Sequence, residues 1–482
     1  VTIPALWAHQ TTGVDLAWKL YKELGLPHFA YFMEQGTGKT PTTIELMRRI
    51  FTEHQRPLRT LILCPYIVVK NWNREIGIFS ACAPFVQVLT GPTKKRIKQY
   101  EEGVRQGKTI FITNIEALAT GEGLLWKTKT RGKTEIRVPA QDWEMVIIDE
   151  AHRIKSPSSA SFKMAVKLGD KAYFKYILTG TPIANNEMDI WALFRFLDGG
   201  ATFGKSFNAF KTEWFVDKNA GMPEAIRFPK WVIKPGSSDR ISELIYKKAY
   251  RVVKDDCMSL PPLVKKQIAC DMSPKQRKAY DDMKRDFIAY LESGAAVATL
   301  AITKALRLQQ IASGFAKLED ESIVRFDDAP RLDVLAELLT DLPGKVIVWA
   351  VFKENYAAIA KVCEKLGRSY TFITGEQTPK EKDQAELDFT KGDKDILIAN
   401  PGAGGTGVNL VEAPNAVWFS RGFKATDRWQ AIARNHRGGS EQHEKITMYD
   451  IVADDCIDGH VLAALDNKES IAEGILGWKD RL

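Results

Sequence analysis

An alternation constrains the fold of this chain more than any other feature. Five short apolar runs, AYFM (30–33), TLILCP (60–65), TIFITN (109–114), MVIIDE (145–150) and YILTG (176–180), are separated by helical patterns such as TTIELMRRIFTEH (42–54). Continuous apolar runs bounded by polar or turn residues read as strands covered on both faces. Strands of that kind alternating with helices require an open parallel sheet. The rhythm lapses over 199–250, a stretch rich in aromatics and lysine. It returns from 344 with KVIVWAV (345–351), SYTFIT (369–374), DILIAN (395–400), AVWFS (416–420) and ITMYDIV (446–452). The fold class is therefore α/β, with two parallel-sheet lobes in tandem and helical material between or upon them.

Boundaries follow from the same reading. Residues 1–198 form the first lobe and 199–250 an irregular or helical insertion. Residues 251–272 form a linker, because the Pro-Pro pair in SLPPLVKKQ (259–267) blocks a helix. Residues 273–327 are long helices, opened by Ser273 as N-cap and Pro274 at the first helical position. Residues 328–482 form the second lobe. The 482 residues suit two to four domains at about 150 residues each.

Composition narrows the chemistry. No apolar run approaches the ~20 residues of a membrane span, and VTIPALWAHQ lacks the charged and apolar regions of a signal peptide. An intracellular, monomeric protein is expected. None of the six cysteines forms a CxxC pair, so neither a zinc site nor a disulfide framework is indicated. A net charge of +8 permits a polyanionic partner without demanding one.

MEQGTGKT (33–40) lies between a strand and a helix. Gly36 and Gly38 let backbone amides, with that of Thr37, turn toward phosphate oxygens. Lys39 reaches the terminal phosphates, Thr40 offers a hydroxyl to Mg²⁺, and the helix N-terminus adds its dipole. The longer phosphate-loop pattern has Gly where this chain has Met33. A glycine-rich turn with a surface lysine is the plain alternative, and the flanking strand and helix argue against it. MVIIDEAHRIK (145–155) ends an apolar strand in two adjacent carboxylates, at the sheet end where open α/β folds bind ligands. There Asp149 would hold Mg²⁺ and Glu150 would polarise the attacking water. TGTP (179–182) alone is no more than a turn. Gln10 is suited to read an adenine edge with its amide, though a lone glutamine is a weak signal.

Near the chain end, RWQAIARNHRGG (428–439) reads as a helix stopped by Gly438 and Gly439, with Gln430, Arg434 and Arg437 on one face. An isolated pair of arginines on a helix is ordinarily a solvated basic face. With a phosphate site upstream, they become candidates for the positive charge that phosphoryl transfer needs.

The order of these strings resembles the successive motifs of superfamily-two helicases, and more narrowly the Swi/Snf-type DNA translocases. AHQ, GTGKT, LILCPYIVVKNWNREI, FITNIEAL, IIDEAHRIKSPSS, LTGTPIANNEMDIWALFRFL, RVVKDD, LRLQQIASG and ANPGAGGTGVNL carry the resemblance over roughly residues 5–465. Ala184 and HRGGSEQ (436–442) depart from the family's usual wording. The resemblance implies two RecA-like lobes and an ATPase that uses ATP and Mg²⁺. Lys39, Asp149 and Glu150 would act with Arg434 and Arg437 as fingers from the second lobe, Gln430 and Gly407 lying near the nucleotide. The fingers would act only when the lobes close over ATP, so that each cycle ratchets the protein along nucleic acid.

Nucleic-acid contacts are implied at Lys70, Asn71, Trp72 and Asn114 in the first lobe. In the second they are implied at Gly404, Gly405 and Thr406. KTKTRGKTEIRVP (127–139) adds a candidate hairpin or loop, with Lys127, Lys129, Arg131 and Lys133, whose plain alternative is a solubilising loop. The function implied is translocation on duplex or branched DNA, for fork or junction remodelling, branch migration or protein displacement. A strand-separating DNA or RNA helicase and a non-translocating ATP-dependent switch are the alternatives.

Overall fold

The apolar runs of the first half assemble into one seven-stranded sheet. The structure, a computed structural model, describes residues 3–462 except 132–133, 181, 184–186, 222–228, 230, 258–259, 293–297, 319, 327, 405–407 and 460. The described residues divide into two compact units, the first ending at residue 257 and the second beginning at residue 260.

In the first unit the strands are β1 His28–Met33, β2 Thr60–Cys64, β3 Val86–Val88, β4 Ile110–Asn114, a hairpin of β5 Trp126–Arg131 and β6 Thr134–Pro139, then β7 Met145–Asp149 and β8 Phe174–Leu178. A second hairpin, β9 Phe215–Asp217 with β10 Trp231–Ile233, precedes β11 Ala249–Val252. The main sheet has the order β11-β1-β8-β7-β2-β4-β3 and is parallel throughout. All five expected strands are present. β2 and β7 are buried along their whole length, as their uninterrupted apolar runs require. Two apolar layers cover the sheet, one built around Trp143, Phe194 and Phe196 and the other around Met47, Trp72 and Phe174.

The second unit opens with β12 Leu263–Cys270. It continues with β13 Phe315–Lys317 and β14 Ile323–Arg325 as a hairpin, then β15 Val346–Trp349, β16 Tyr370–Ile373, β17 Ile396–Ala399, β18 Asn415–Trp418 and β19 Ile446–Ala453. The parallel sheet order is β12-β19-β18-β15-β17-β16. Helices Pro274–Glu292 and Ala298–Ala312 occupy the expected helical stretch. Ser273 caps the first of them, its Oγ accepting the Gln276 amide at 3.3 Å.

Two differences from the sequence reading have simple causes. The stretch read as a linker contains β12, which pairs with β19 over eight residues from Leu263↔Ile446 to Cys270↔Ala453. This strand lies at a sheet edge with Lys265, Lys266 and Gln267 exposed, so it has no apolar run to announce it. Pro262 directly before it is tolerated because a strand start needs no donor there. The insertion is not wholly irregular either. It holds the β9–β10 hairpin and the helices Phe207–Trp214 and Ser237–Tyr246, and it ends in β11, which joins the main sheet beside β1. Among the described residues no helix is long and apolar enough to cross a membrane.

Candidate functional site

The sheet order places the phosphate-loop sequence and the two carboxylates at strand ends on the same side of the sheet, one strand apart. β1 ends at Met33, β7 at Asp149, and β8 lies between them. All three run in one direction, so their C-terminal ends share one edge, where such sheets bind ligands. The connection from β1 to the helix Lys39–Glu53 turns on Gly36 and Gly38, with φ of 92° and 87°. Only glycine adopts that region at little cost. Space is also limiting at Gly38, where a Cβ would fall 1.9 Å from Gln10 Nε2. Gly180, just beyond β8, leaves room for the same loop: a Cβ there would lie 3.3 Å from the Met33 carbonyl.

The Lys39 ammonium donates to the carbonyls of Met33 at 2.9 Å and Glu34 at 3.3 Å. It therefore lies inside the turn, over the loop's own backbone. Thr37, Thr42 and Thr43 each spend their hydroxyl on a nearby carbonyl: Glu34, Gly38 and Lys39, all at 2.8 Å. Thr40 makes no such bond among the described residues, so its hydroxyl stays available at the helix start. The loop is tied to the sheet edge through Glu34, whose amide donates to the Val252 carbonyl at 3.0 Å and whose carboxylate accepts the Lys254 amide at 2.7 Å.

Asp149 is only 5% exposed. One carboxylate oxygen accepts the Trp72 indole N–H at 2.9 Å and the other the Glu150 amide at 2.9 Å. Burial and the neighbouring Glu150 carboxylate push its pKa up to about 6, against the pull of Lys39 and of these hydrogen bonds. Burial is the larger cause; the Glu150 carboxylate adds to it and the Lys39 ammonium opposes it. Glu150 has φ 51° and ψ 50°, a left-handed conformation costing a non-glycine residue roughly 1–2 kcal/mol. Gln35 donates to one of its oxygens at 3.2 Å, and His152 Nδ1 lies 3.3 Å from the other. The same His152 nitrogen is 3.3 Å from the Thr179 hydroxyl, so the carboxylate strand end is linked to that of β8. Strain that neighbours hold in place is characteristic of functional sites.

Gln10 is placed differently from its expected role. It is buried, donating to the Thr37 carbonyl at 3.2 Å and accepting the Trp7 amide at 3.0 Å. His9 Nε2 meets the same carbonyl at 2.8 Å. The amide here clamps the phosphate loop, and reading an adenine edge would require it to exchange these partners.

Among the residues expected to meet nucleic acid, Trp72 is corrected outright. It is 0% exposed and bonded to Asp149. The helix Val69–Phe79 buries Val69, Trp72 and Ile76, an i, i+3, i+7 stripe that was available in the sequence and that turns the indole inward. Lys70 is exposed on the same helix, and Asn71 bonds Glu75 at 2.7 Å and Arg74 at 2.5 Å. Asn114 is committed within the protein: its oxygen accepts the buried Arg96 at 2.8 Å and its amide donates to Glu116 at 2.8 Å. Glu116 in turn pairs with Arg153 at 2.7 Å. Sequence reasoning missed this chain of bonds, since nothing in TNIEAL signals a buried arginine 18 residues upstream.

The 127–139 segment is a hairpin, with Lys127 opposite Val138 and Lys129 opposite Ile136. Both lysines are exposed. On the other face Trp126 is buried, with the Arg137 guanidinium 4.0 Å from its ring centre. Lys133 lies outside the described residues, as do Gly405, Thr406 and Gly407. Gly404 ends the short helical turn Pro401–Gly404.

In the second unit, the helix Ala425–Asn435 carries Gln430 and Arg434 one turn apart. Arg434 is 7% exposed, and its Nε donates to the Gln430 carbonyl at 3.1 Å. Arg437 does not share their helix. The helix ends before the glycine pair because Asn435 Nδ2 is drawn to the Ala413 carbonyl at 2.9 Å. Next to it, His436, at ψ 80°, lies 3.0 Å from the Pro261 carbonyl. Tertiary bonds, rather than Gly438 and Gly439, set the stop. Deeper in this unit Arg428 forms a fork on Asp450 at 2.9 and 2.7 Å, and Arg331 pairs with Asp458. Arg421 lies within 3.6 Å of both carboxylates. All five residues are at most 4% exposed.

Comparison with known proteins gives the family. Residues 9–315 match the SNF2-related domain and residues 330–439 the helicase conserved C-terminal domain. An uncharacterized ATP-dependent helicase of Mycoplasma genitalium is 26% identical over 451 residues, covering 92% of this chain and 40% of that protein. The chromatin structure-remodeling complex subunit snf21 of Schizosaccharomyces pombe is 24% identical over 476 residues, covering 91% and 36%. The chain thus spans 40% or less of the length of these relatives. The Sulfolobus solfataricus SWI2/SNF2 ATPase core in complex with dsDNA shares 22% identity at a TM-score of 0.42, covering 98% of this chain and 93% of that one. With a phosphate-loop turn at the end of β1, an Asp-Glu pair at the end of β7 in the same parallel sheet, and the family model spanning more than half its length, the chain belongs to the SNF2-related family.

Proposed function

We propose that this chain is a motor that couples ATP hydrolysis to movement on double-stranded or branched DNA. The observation that carries the reading is the meeting of Lys39, Asp149 and Glu150 at one sheet edge, in a chain whose family is a motor family. Lys39 and the amides of Gly36, Thr37 and Gly38 would take the phosphates. The donor set fits a magnesium ion: Thr40 has an uncommitted hydroxyl, and Asp149 is a carboxylate whose pKa is raised by burial and by a second carboxylate beside it. Bound there, Mg²⁺ would supply positive charge to the phosphate oxygens. Glu150, oriented by Gln35 and by His152, would take the proton of the attacking water.

Arg434 and Arg437 are proposed as the fingers that stabilise charge on the transferred group, worth about 10³–10⁵ in rate where such arginines act. Gln430 and Gly407 would lie near the nucleotide. Duplex DNA is the proposed track, met through Lys70, Asn71 and the Lys127/Lys129 face of the hairpin, by phosphate contacts without base reading. The net charge of +8 suits a polyanionic track of this kind.

The test is the ATPase rate across duplex, forked, four-way-junction and single-stranded DNA and RNA, paired with triplex displacement. Stimulation by duplex or junction DNA and displacement of a third strand without simple unwinding are expected. Stimulation by RNA or single strands alone would favour a strand-separating helicase. Stimulation without any displacement would favour a switch.

A further inference from the structure

We propose that Trp72 is a positioning residue that couples nucleic acid on the helix Val69–Phe79 to the catalytic carboxylate of Asp149. The inference rests on the proposed duplex track and goes one step inside it. The helix has two faces with different duties. Lys70 is exposed, whereas Val69, Trp72 and Ile76 are buried against the sheet. Trp72 is the largest side chain of the buried face and is fully enclosed. Its single polar atom, the indole Nε1–H, has one partner, Asp149 Oδ2 at 2.9 Å. Indole nitrogen is a donor only, so this bond cannot reverse, and it fixes which oxygen faces the helix.

The geometry makes the bond responsive to the helix. β2 pairs with β7 in register, Leu63 opposite Ile148. After β2 the chain passes through Pro65 and the single turn Tyr66–Val68 directly into the helix. The helix therefore starts beside the end of β7, and a displacement of its first turn is transmitted by a rigid indole rather than by a flexible side chain. Asp149 Oδ1 is held separately by the Glu150 amide. Rotation of the carboxylate by Trp72 would thus also shift the backbone that carries Glu150, itself held in a left-handed conformation. Each oxygen keeps a second lone pair for a metal or a water. The indole tunes the orientation of the carboxylate without occupying its coordination.

Steady-state ATPase measured against duplex DNA concentration tests the idea, with Trp72→Phe compared to Lys70→Ala. Phenylalanine fills most of the cavity but donates nothing. Lys70→Ala should raise the DNA concentration needed for half-stimulation several-fold and leave kcat at saturating DNA near wild type. Trp72→Phe should leave half-stimulation unchanged within about twofold, yet lower the stimulated kcat about tenfold and shrink the ratio of stimulated to basal rate. Equal losses in basal and stimulated rate would overturn the coupling, as would an unchanged ratio. A wild-type protein that DNA does not stimulate would instead sink the track itself. Should Trp72→Phe fail to fold, hydrogen exchange on the wild-type chain decides: duplex DNA without nucleotide should alter protection of both 69–79 and 145–150. Change confined to 69–79 would overturn the proposal.

Discussion

Both units bury charge at the ends of parallel strands, and they do so in opposite ways. In the second unit three guanidiniums meet two carboxylates, and the network is knit by the Arg428 fork on Asp450 and the Arg331–Asp458 pair. There Asp458 is held below its ordinary range, because the attraction of Arg331 and Arg421 outweighs burial. In the first unit Asp149 is equally enclosed, but burial and the neighbouring Glu150 carboxylate outweigh the pull of Lys39, and its pKa rises to about 6. Where buried carboxylates are met by guanidiniums inside the protein, the charges hold architecture together. Where two neighbouring carboxylates have one ammonium near them, the place is suited to binding further positive charge.

The sharpest way to break this contrast is to remove the cation that the first site does own. Lys39→Ala should lower ATP turnover by roughly 10²–10³-fold or more, with little change in melting temperature, since its partners are loop carbonyls rather than a buried carboxylate. Arg437→Ala should also abolish turnover while nucleotide affinity, measured by titration of a fluorescent analogue, stays within a few-fold. Near-normal turnover in that variant would sink its assignment as a finger.

The second unit should respond in stability instead. Arg428→Ala leaves Asp450 buried beside Arg421 alone. Breaking a buried pair from one side costs about 3–5 kcal/mol, or a melting shift of roughly 6–20 °C in a domain of this size. The double replacement Arg428→Met with Asp450→Leu should recover most of that loss, because apolar groups of similar volume commonly replace such pairs at no net cost. If the double variant melts as low as the single one, the network is more than a satisfied pair.

Asp149→Asn should do the reverse. In the nucleotide-free protein the ionised carboxylate is penalised. That penalty is absent below pH 3.8, the ordinary carboxylate value, and complete above about 6, the raised value. The asparagine variant should therefore melt a few degrees higher than wild type at pH 7.5, at about 2–4 °C per kcal/mol relieved. The difference should vanish toward pH 4. A variant that melts lower at pH 7.5 would mean that Asp149 already has its counter-charge.

The sequence disclosed these two regions unequally, for physical reasons. β7 and its terminal Asp149 were legible because a strand covered on both faces must be apolar throughout and can turn polar only where it ends. The turn at Gly36 and Gly38 was legible because positive φ needs glycine. The Arg428–Asp450 fork was not, because a buried ion pair looks like two surface charges until the fold brings them together. β12 and β11 were hidden because edge strands need no apolar run. Trp72 is the instructive case. Its burial was written in the spacing of Val69, Trp72 and Ile76, and reading it as a nucleic-acid contact put an inward residue on the outward face. The partner of its indole, 77 residues away, needed the sheet order to find.

The smallest expected effect concerns the hairpin, where charge is neither satisfied nor buried. Lys127 and Lys129 lie on one face of β5 with Ile136 and Val138 opposite them, while Trp126 under Arg137 holds the other face down. Exposed lysines of this kind contribute little to stability, so Lys127→Ala with Lys129→Ala should leave the melting temperature unchanged. If the face grips DNA, removing each ammonium that neutralises a phosphate should reduce the slope of log affinity against log salt by about 0.9. The double variant should therefore show a slope shallower by about 1–2, with affinity differences that widen at low salt and close at high salt. The same slope in wild type and variant would return the hairpin to a solubilising role. It would also leave the helix Val69–Phe79 as the first unit's principal nucleic-acid surface, and Lys70→Ala should then account for most of the salt dependence that the first unit contributes.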